Sequence, residues 1–104
     1  MIHLQVTYRI RSDRAEDAER EIAAFVSTLQ GNRPRFATYQ IFRHANDSAS
    51  LVHIIAFRDC EAQLEHTQSA HVKRFVENML ALCEVGPIYT ELKPVIARVT
   101  TDSR

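Results

Sequence analysis

The chain has no tryptophan, only two glycines, three prolines and two cysteines in 104 residues, and its thirteen basic side chains are cancelled by thirteen acidic ones. Each shortage excludes something. Without net charge there is no global field to draw in nucleic acid or an anionic membrane surface, and neither is expected as a partner. No apolar run approaches the roughly 20 residues that span a bilayer, and the opening MIHLQVTYRIRSD lacks the apolar core of a signal peptide, so the expected location is cytoplasmic. Cys60 and Cys83 fit no C-x-x-C pattern. They read as free, at least partly buried thiols in helical segments, not as a disulfide or a zinc site. No glycine-rich phosphate loop, nucleophile elbow, H-E-x-x-H or Cys/His metal spacing occurs, and neither metal nor cofactor is expected. No repeat, low-complexity tract or Pro/Gly-rich linker divides the chain. With 45% hydrophobic residues, positions 1–104 suffice for one core and read as a single domain.

What is present is a clear alternation of periods. Residues 2–10 set Ile2, Leu4, Val6, Tyr8 and Ile10 against His3, Gln5, Thr7 and Arg9, a period of two that predicts a strand with one apolar face. Asp13 with Glu16 resembles a capping box, and Ala15, Ala18, Ile22, Phe25, Val26 and Leu29 then recur at helical spacing until Gly31. Residues 36–44 and 51–57 are rich in strand formers and flank a candidate hairpin loop at 45–49. Asp59 is placed to cap a second helical region whose apolar stripe is Val72, Phe75, Val76, Met79, Leu80 and Cys83. Gly86-Pro87 should end that helix before a fourth strand, which closes at Pro94-Val95.

The order βαββαβ with a central hairpin predicts an α+β, ferredoxin-like antiparallel sheet with both helices on one face. The third strand is apolar on both sides, with Leu51, Ile55 and Phe57 on one and Val52, Ile54 and Ala56 on the other. Its helix-free side therefore needs cover, and a second copy of the same sheet supplies it. A homodimer through sheet-face packing, a dimeric α/β barrel, is the expected assembly.

The candidate chemistry lies mostly in histidines and tyrosines. His66 and His71 are five residues apart, about 500° of helical rotation, so on an unbroken helix they project about 140° apart and cannot share a metal. A break at Thr67-Gln68-Ser69-Ala70 changes this, with Ser69 capping a new helix and His71 in its first turn, where the positive helix end favours neutral imidazole. Such a histidine is suited to move a proton near neutral pH; equally, both read as groups that tie backbone atoms at the kink. His53 interrupts the apolar side of the third strand and, if buried, must have a hydrogen-bond partner on a neighbouring strand or across the dimer, or else a ligand. Tyr8, Tyr39 and Tyr89 fall on strands and either aim hydroxyls into a cavity or pack in the core. Phe75 belongs to the helical stripe that would wall a pocket between helices and sheet. Arg43 and His44 read as a solvated turn.

Residues 59–75 carry D-x-x-A-x-x-x-H-x-x-S-x-H-x-x-x-F as Asp59, Ala62, His66, Ser69, His71 and Phe75, followed by Gly86-Pro87 and Pro94-Val95. With the stretch 39–44 upstream, this order resembles the antibiotic biosynthesis monooxygenase family of dimeric α/β barrels. The resemblance implies oxidation of an aromatic or quinone-like small molecule by molecular oxygen, often without metal or flavin, because the deprotonated substrate itself reduces oxygen. It also implies that His66 or His71 is the base or orienting group with Tyr39 as a polar partner, and that a tail such as residues 96–100 can reach onto a partner subunit; from the residues themselves, His53 and Phe75 are the candidate ligand-binding positions. Where many relatives have E-x-W at the end of the third strand, this chain reads Ile55-Ala56-Phe57, and with no tryptophan it is unlike the haem-degrading branch. The alternative is a non-catalytic barrel that binds a small apolar ligand or acts as an accessory subunit.

Overall fold

A computed structural model describes residues 1–31 and 36–95. The expected tail at 96–100 lies outside the described residues. Strand β1 (Ile2–Ile10) leads through a short 3-10 turn (Ser12–Arg14) into helix α1 (Ala15–Gly31), followed by β2 (Phe36–His44), β3 (Asp47–Phe57), α2 (Cys60–Gln68), α3 (Ala70–Leu80) and β4 (Cys83–Leu92). The four strands form one sheet in the order β2-β3-β1-β4, and every neighbouring pair is antiparallel. This is the α+β, ferredoxin-like arrangement that the periodicity predicts.

The alternation in β1 and β3 builds the core. Their register sets Tyr8 opposite Leu51, Val6 opposite His53 and Leu4 opposite Ile55, all on the face that the helices cover. Ala18, Phe25 and Leu29 of α1 and Val72 and Met79 of α3 are buried against it, and Phe57 is wholly inaccessible. Among the described residues no helix covers the opposite face. Across it run Phe42, Val52, Thr7 and Ile88, joined by register, and Phe42 and Ile88 are half exposed.

Several local expectations are corrected. The hairpin loop is two residues, Ala45-Asn46, because Asp47 joins β3; its carboxylate accepts from the Ala49 N–H (3.2 Å) and the Ser50 hydroxyl (2.7 Å) and binds the Arg9 guanidinium across the sheet (3.0 Å). Asp13 lies inside the 3-10 turn and not at a cap position, since the helical path already begins at Ser12. The helix carrying Phe75 stops at Leu80, so Leu80 is exposed and Cys83 opens β4 as a free, partly buried thiol, while Cys60 is free and exposed. Gly86-Pro87 then falls inside β4 instead of ending the helix.

The reason is a bulge. Thr7 pairs with Ile88 and Arg9 with Val85, so β4 carries one residue more than β1 over that step. Gly86 takes φ +85° there, and a side chain on it would meet the Thr7 carbonyl oxygen at 2.8 Å, which leaves glycine as the residue that fits. Pro87 is tolerated because β4 is an edge strand. The strand ends at Leu92, short of Pro94, which has no N–H to offer a ladder.

Candidate functional site

Between the sheet and α3 lies a cavity of about 450 Å³, within the size range of small-molecule sites. Its floor comes from β1 and β3 through Leu4, Val6, Tyr8, His53 and Ile55, and Tyr39 of β2 closes one side. Its roof is the inner face of α3, with Val72, Phe75, Val76 and Met79, backed by Phe25 of α1. Lys73, Glu77, Thr67 and Tyr89 are exposed members of the wall and mark the rim between α3 and the edge strand β4.

The polar centre of the floor is His53, 2% exposed. Its Nε2 lies 2.8 Å from the Tyr8 hydroxyl and its Nδ1 lies 2.8 Å from the Tyr39 hydroxyl. The period-two alternation dictates this meeting: Tyr8, His53 and Tyr39 are all on the helix side of three adjacent strands. Burial pushes the His53 pKa down to about 4, so the ring is neutral near pH 7. Burial also pushes both phenols up, so both keep their protons.

His66 arrives from α2. Asp59 caps that helix by accepting from the Ala62 N–H at 2.8 Å. At the other end the Ser69 N–H and hydroxyl both donate to the His66 carbonyl, at 3.2 and 2.8 Å. The break expected at 67–70 is therefore present, but the Ser69 hydroxyl closes α2 and gives no side-chain cap to α3. So anchored, the His66 ring sits at the cavity wall, 5.3 Å from Phe57, 6.0 Å from Tyr39 and 6.2 Å from Phe36 between ring centres. Burial, with a smaller contribution from His71, holds its pKa down at about 4.

His71 goes elsewhere. In the first turn of α3 it faces α1, 6.4 Å from the Phe25 ring, and lines a separate shallow crevice with Glu21, Thr28, Arg74 and Asn78. The structure thus brings His66, Tyr39, His53 and Phe75 together around one cavity and leaves His71 outside it. Tyr8 and Cys83 also line that cavity. Strand parity is the signal that places Tyr8 there; nothing in the sequence signals Cys83, because its place depends on where α3 stops. Among the described residues no three His, Cys, Asp or Glu side chains are grouped to hold a metal, and no helix is long and apolar enough to cross a membrane.

Comparison with known proteins gives a consistent picture. The family model for antibiotic biosynthesis monooxygenases matches residues 1–78. A crystal structure of an antibiotic biosynthesis monooxygenase superposes with a TM-score of 0.82 at 18% identity, covering 91% of this chain and 99% of that one. A Pseudomonas aeruginosa protein gives 0.76 at 24% identity, covering 90% and 93%, and a Mycobacterium tuberculosis protein gives 0.78 at 18%, covering 98% of both. At these identities the superpositions speak to fold. No protein of curated description matches the sequence.

Proposed function

Because the chain belongs to the antibiotic biosynthesis monooxygenase family, we propose that its cavity binds an aromatic or quinone-like small molecule and oxidises it with molecular oxygen, without a cofactor. The observation that carries this reading is the composition of the cavity: apolar walls of the right volume enclosing His66 and the Tyr8–His53–Tyr39 chain. An anthrone-type methylene flanked by phenolic rings illustrates the chemistry. The methylene carbon gives up both hydrogens and becomes a ketone carbon by taking one atom of molecular oxygen; the other oxygen atom leaves with the two hydrogens as water. The role of the protein is to take a proton from the substrate, exclude water and steady the developing oxyanion. His66 is the proposed base. It is neutral at pH 7, and an anion formed beside it in a water-poor cavity raises its affinity for the proton. Tyr39 is the proposed polar partner, and Phe75 and Phe25 hold the aromatic plane.

The proposed assembly is a homodimer through the helix-free sheet face, where Phe42, Val52, Ile54 and Ile88 supply an apolar surface.

A second reading is a binding module without catalysis. Its support is that burial holds the pKa of both cavity histidines at about 4, which makes them weak bases. Oxygen uptake by metal-stripped protein with a panel of anthrones and hydroquinones separates the two. Turnover that needs the folded chain supports the oxygenase; ligand binding with no oxygen consumed on any member supports the module.

A further inference from the structure

The floor of the cavity contains one proton more than its hydrogen bonds can use. Neutral imidazole has one N–H and one bare nitrogen. At the bare nitrogen of His53 the adjoining tyrosine donates; at the N–H nitrogen the ring donates and the other tyrosine accepts. The two hydroxyls and the ring N–H bring three protons to two hydrogen bonds. The accepting tyrosine therefore keeps its own phenolic proton, and among the described residues neither hydroxyl has a second partner. Tyr8 and Tyr39 both line the cavity. Tyr8 is buried and Tyr39 partly buried, so the acceptor this proton meets is whatever occupies the cavity, water or a ligand oxygen that displaces it.

We propose that the leftover tyrosine proton is the recognition element of the cavity: it is donated to a carbonyl or phenolate oxygen of an aromatic ligand, and His53 selects by its tautomer which of Tyr8 and Tyr39 donates. His53 is a positioning residue here, acting through the two hydroxyls. The tyrosine whose hydroxyl donates to the imidazole nitrogen keeps free lone pairs, so the same chain offers an acceptor at its other end. A ligand with a ring carbonyl and a hydroxyl satisfies both ends. Exchange of the imidazole proton between its two nitrogens reverses the polarity, which lets one site hold the oxygen in either sense without any charge being created.

The inference rests on reading this cavity as the ligand site, but not on oxygen chemistry, and its test consumes no oxygen. Xanthone and xanthene share a tricyclic frame and differ in the ring carbonyl. Their affinities are measured by calorimetry on the full chain and on the Tyr8→Phe/Tyr39→Phe double variant. The ratio of xanthone to xanthene affinity should fall at least about fivefold in the double variant, the share of one neutral hydrogen bond, while xanthene affinity holds. In the unchanged chain, nitrogen NMR of His53 at neutral pH should move towards a single tautomer as xanthone saturates. An equal ratio in both proteins overturns the proposal, and so does xanthone binding that leaves the His53 nitrogens unmoved. The NMR arm decides should the double variant fail to fold. If neither compound binds, the cavity reading falls and this inference with it; if both bind as expected and no substrate consumes oxygen, only the oxygenase reading falls.

Discussion

Phe25 of α1 and Phe75 of α3 lie face to face, with ring centres 4.0 Å apart and planes 9° from parallel. This stack joins the two helices over the sheet and forms the inner end of the cavity roof. Phe25 is 4% exposed, whereas Phe75 is only partly buried because the cavity opens beneath it. The two truncations should therefore differ. Phe25→Ala should cost about 3 to 5 kcal/mol and Phe75→Ala about 2, since the second already borders empty space. Denaturant melts check both, and equal losses would mean that the cavity is closed in solution.

Acid should loosen the fold in a defined window. His53 and His66 have folded-state pKa values near 4, below the ordinary 6.5, so between those limits the unfolded chain binds protons that the folded chain does not. Stability is complete above pH about 6.5 and is lost as the pH falls towards 4. From pH 6.5 to 5, His53 alone should account for on the order of 2 kcal/mol, or about 8 °C in melting temperature. The Asp47 carboxyl, held near 2 chiefly by its hydrogen bond to Arg9, responds only below this window. The melting temperature should fall across this window in the wild type and fall less in His53→Gln, which keeps His66; a flat wild-type profile would place both rings in contact with water.

The two histidines of the family-like run should separate by kinetics. On a substrate that consumes oxygen, His66→Ala should lower turnover about 100-fold, and His71→Ala should leave it within a few-fold. Steady-state oxygen uptake with matched melting temperatures is the measurement. Equal loss in both variants would move the site towards the crevice beside α1.

Sedimentation checks the assembly. The sheet-face dimer should bury more than about 2,000 Å² in total and persist at micromolar concentration. Ile54→Lys, in the middle of the open face between Gln5 and Gln40, should yield monomer or unfolded chain. A wild-type monomer that stays folded at that concentration would remove the barrel.

The strands and the order of elements could be read from the sequence because alternation and helical stripes are local signals. The kink before His71 was legible for the same reason, since Thr67-Gln68-Ser69-Ala70 interrupts the stripe. The mutual position of Tyr8, His53 and Tyr39 was only half legible. Parity assigns each a face, but the contacts span 45 and 14 residues and depend on a register that the sequence does not print. The same limit hid the β4 bulge. Gly86-Pro87 carries the chemistry of a helix stop, and only its closeness to the Thr7 carbonyl shows why glycine sits inside a strand. His66 and His71 stand together in the motif, but which of them faces the cavity depends on how α2 and α3 pack, and only His66 lines it.

All three tyrosines of the chain, Tyr8, Tyr39 and Tyr89, border the same cavity, and there is no tryptophan to mask them. The intrinsic ultraviolet emission of this protein is thus a signal from one place. An aromatic guest that enters the cavity is bordered by all three emitters, so its occupancy should be readable as a change in tyrosine emission in the unlabelled, unmutated chain.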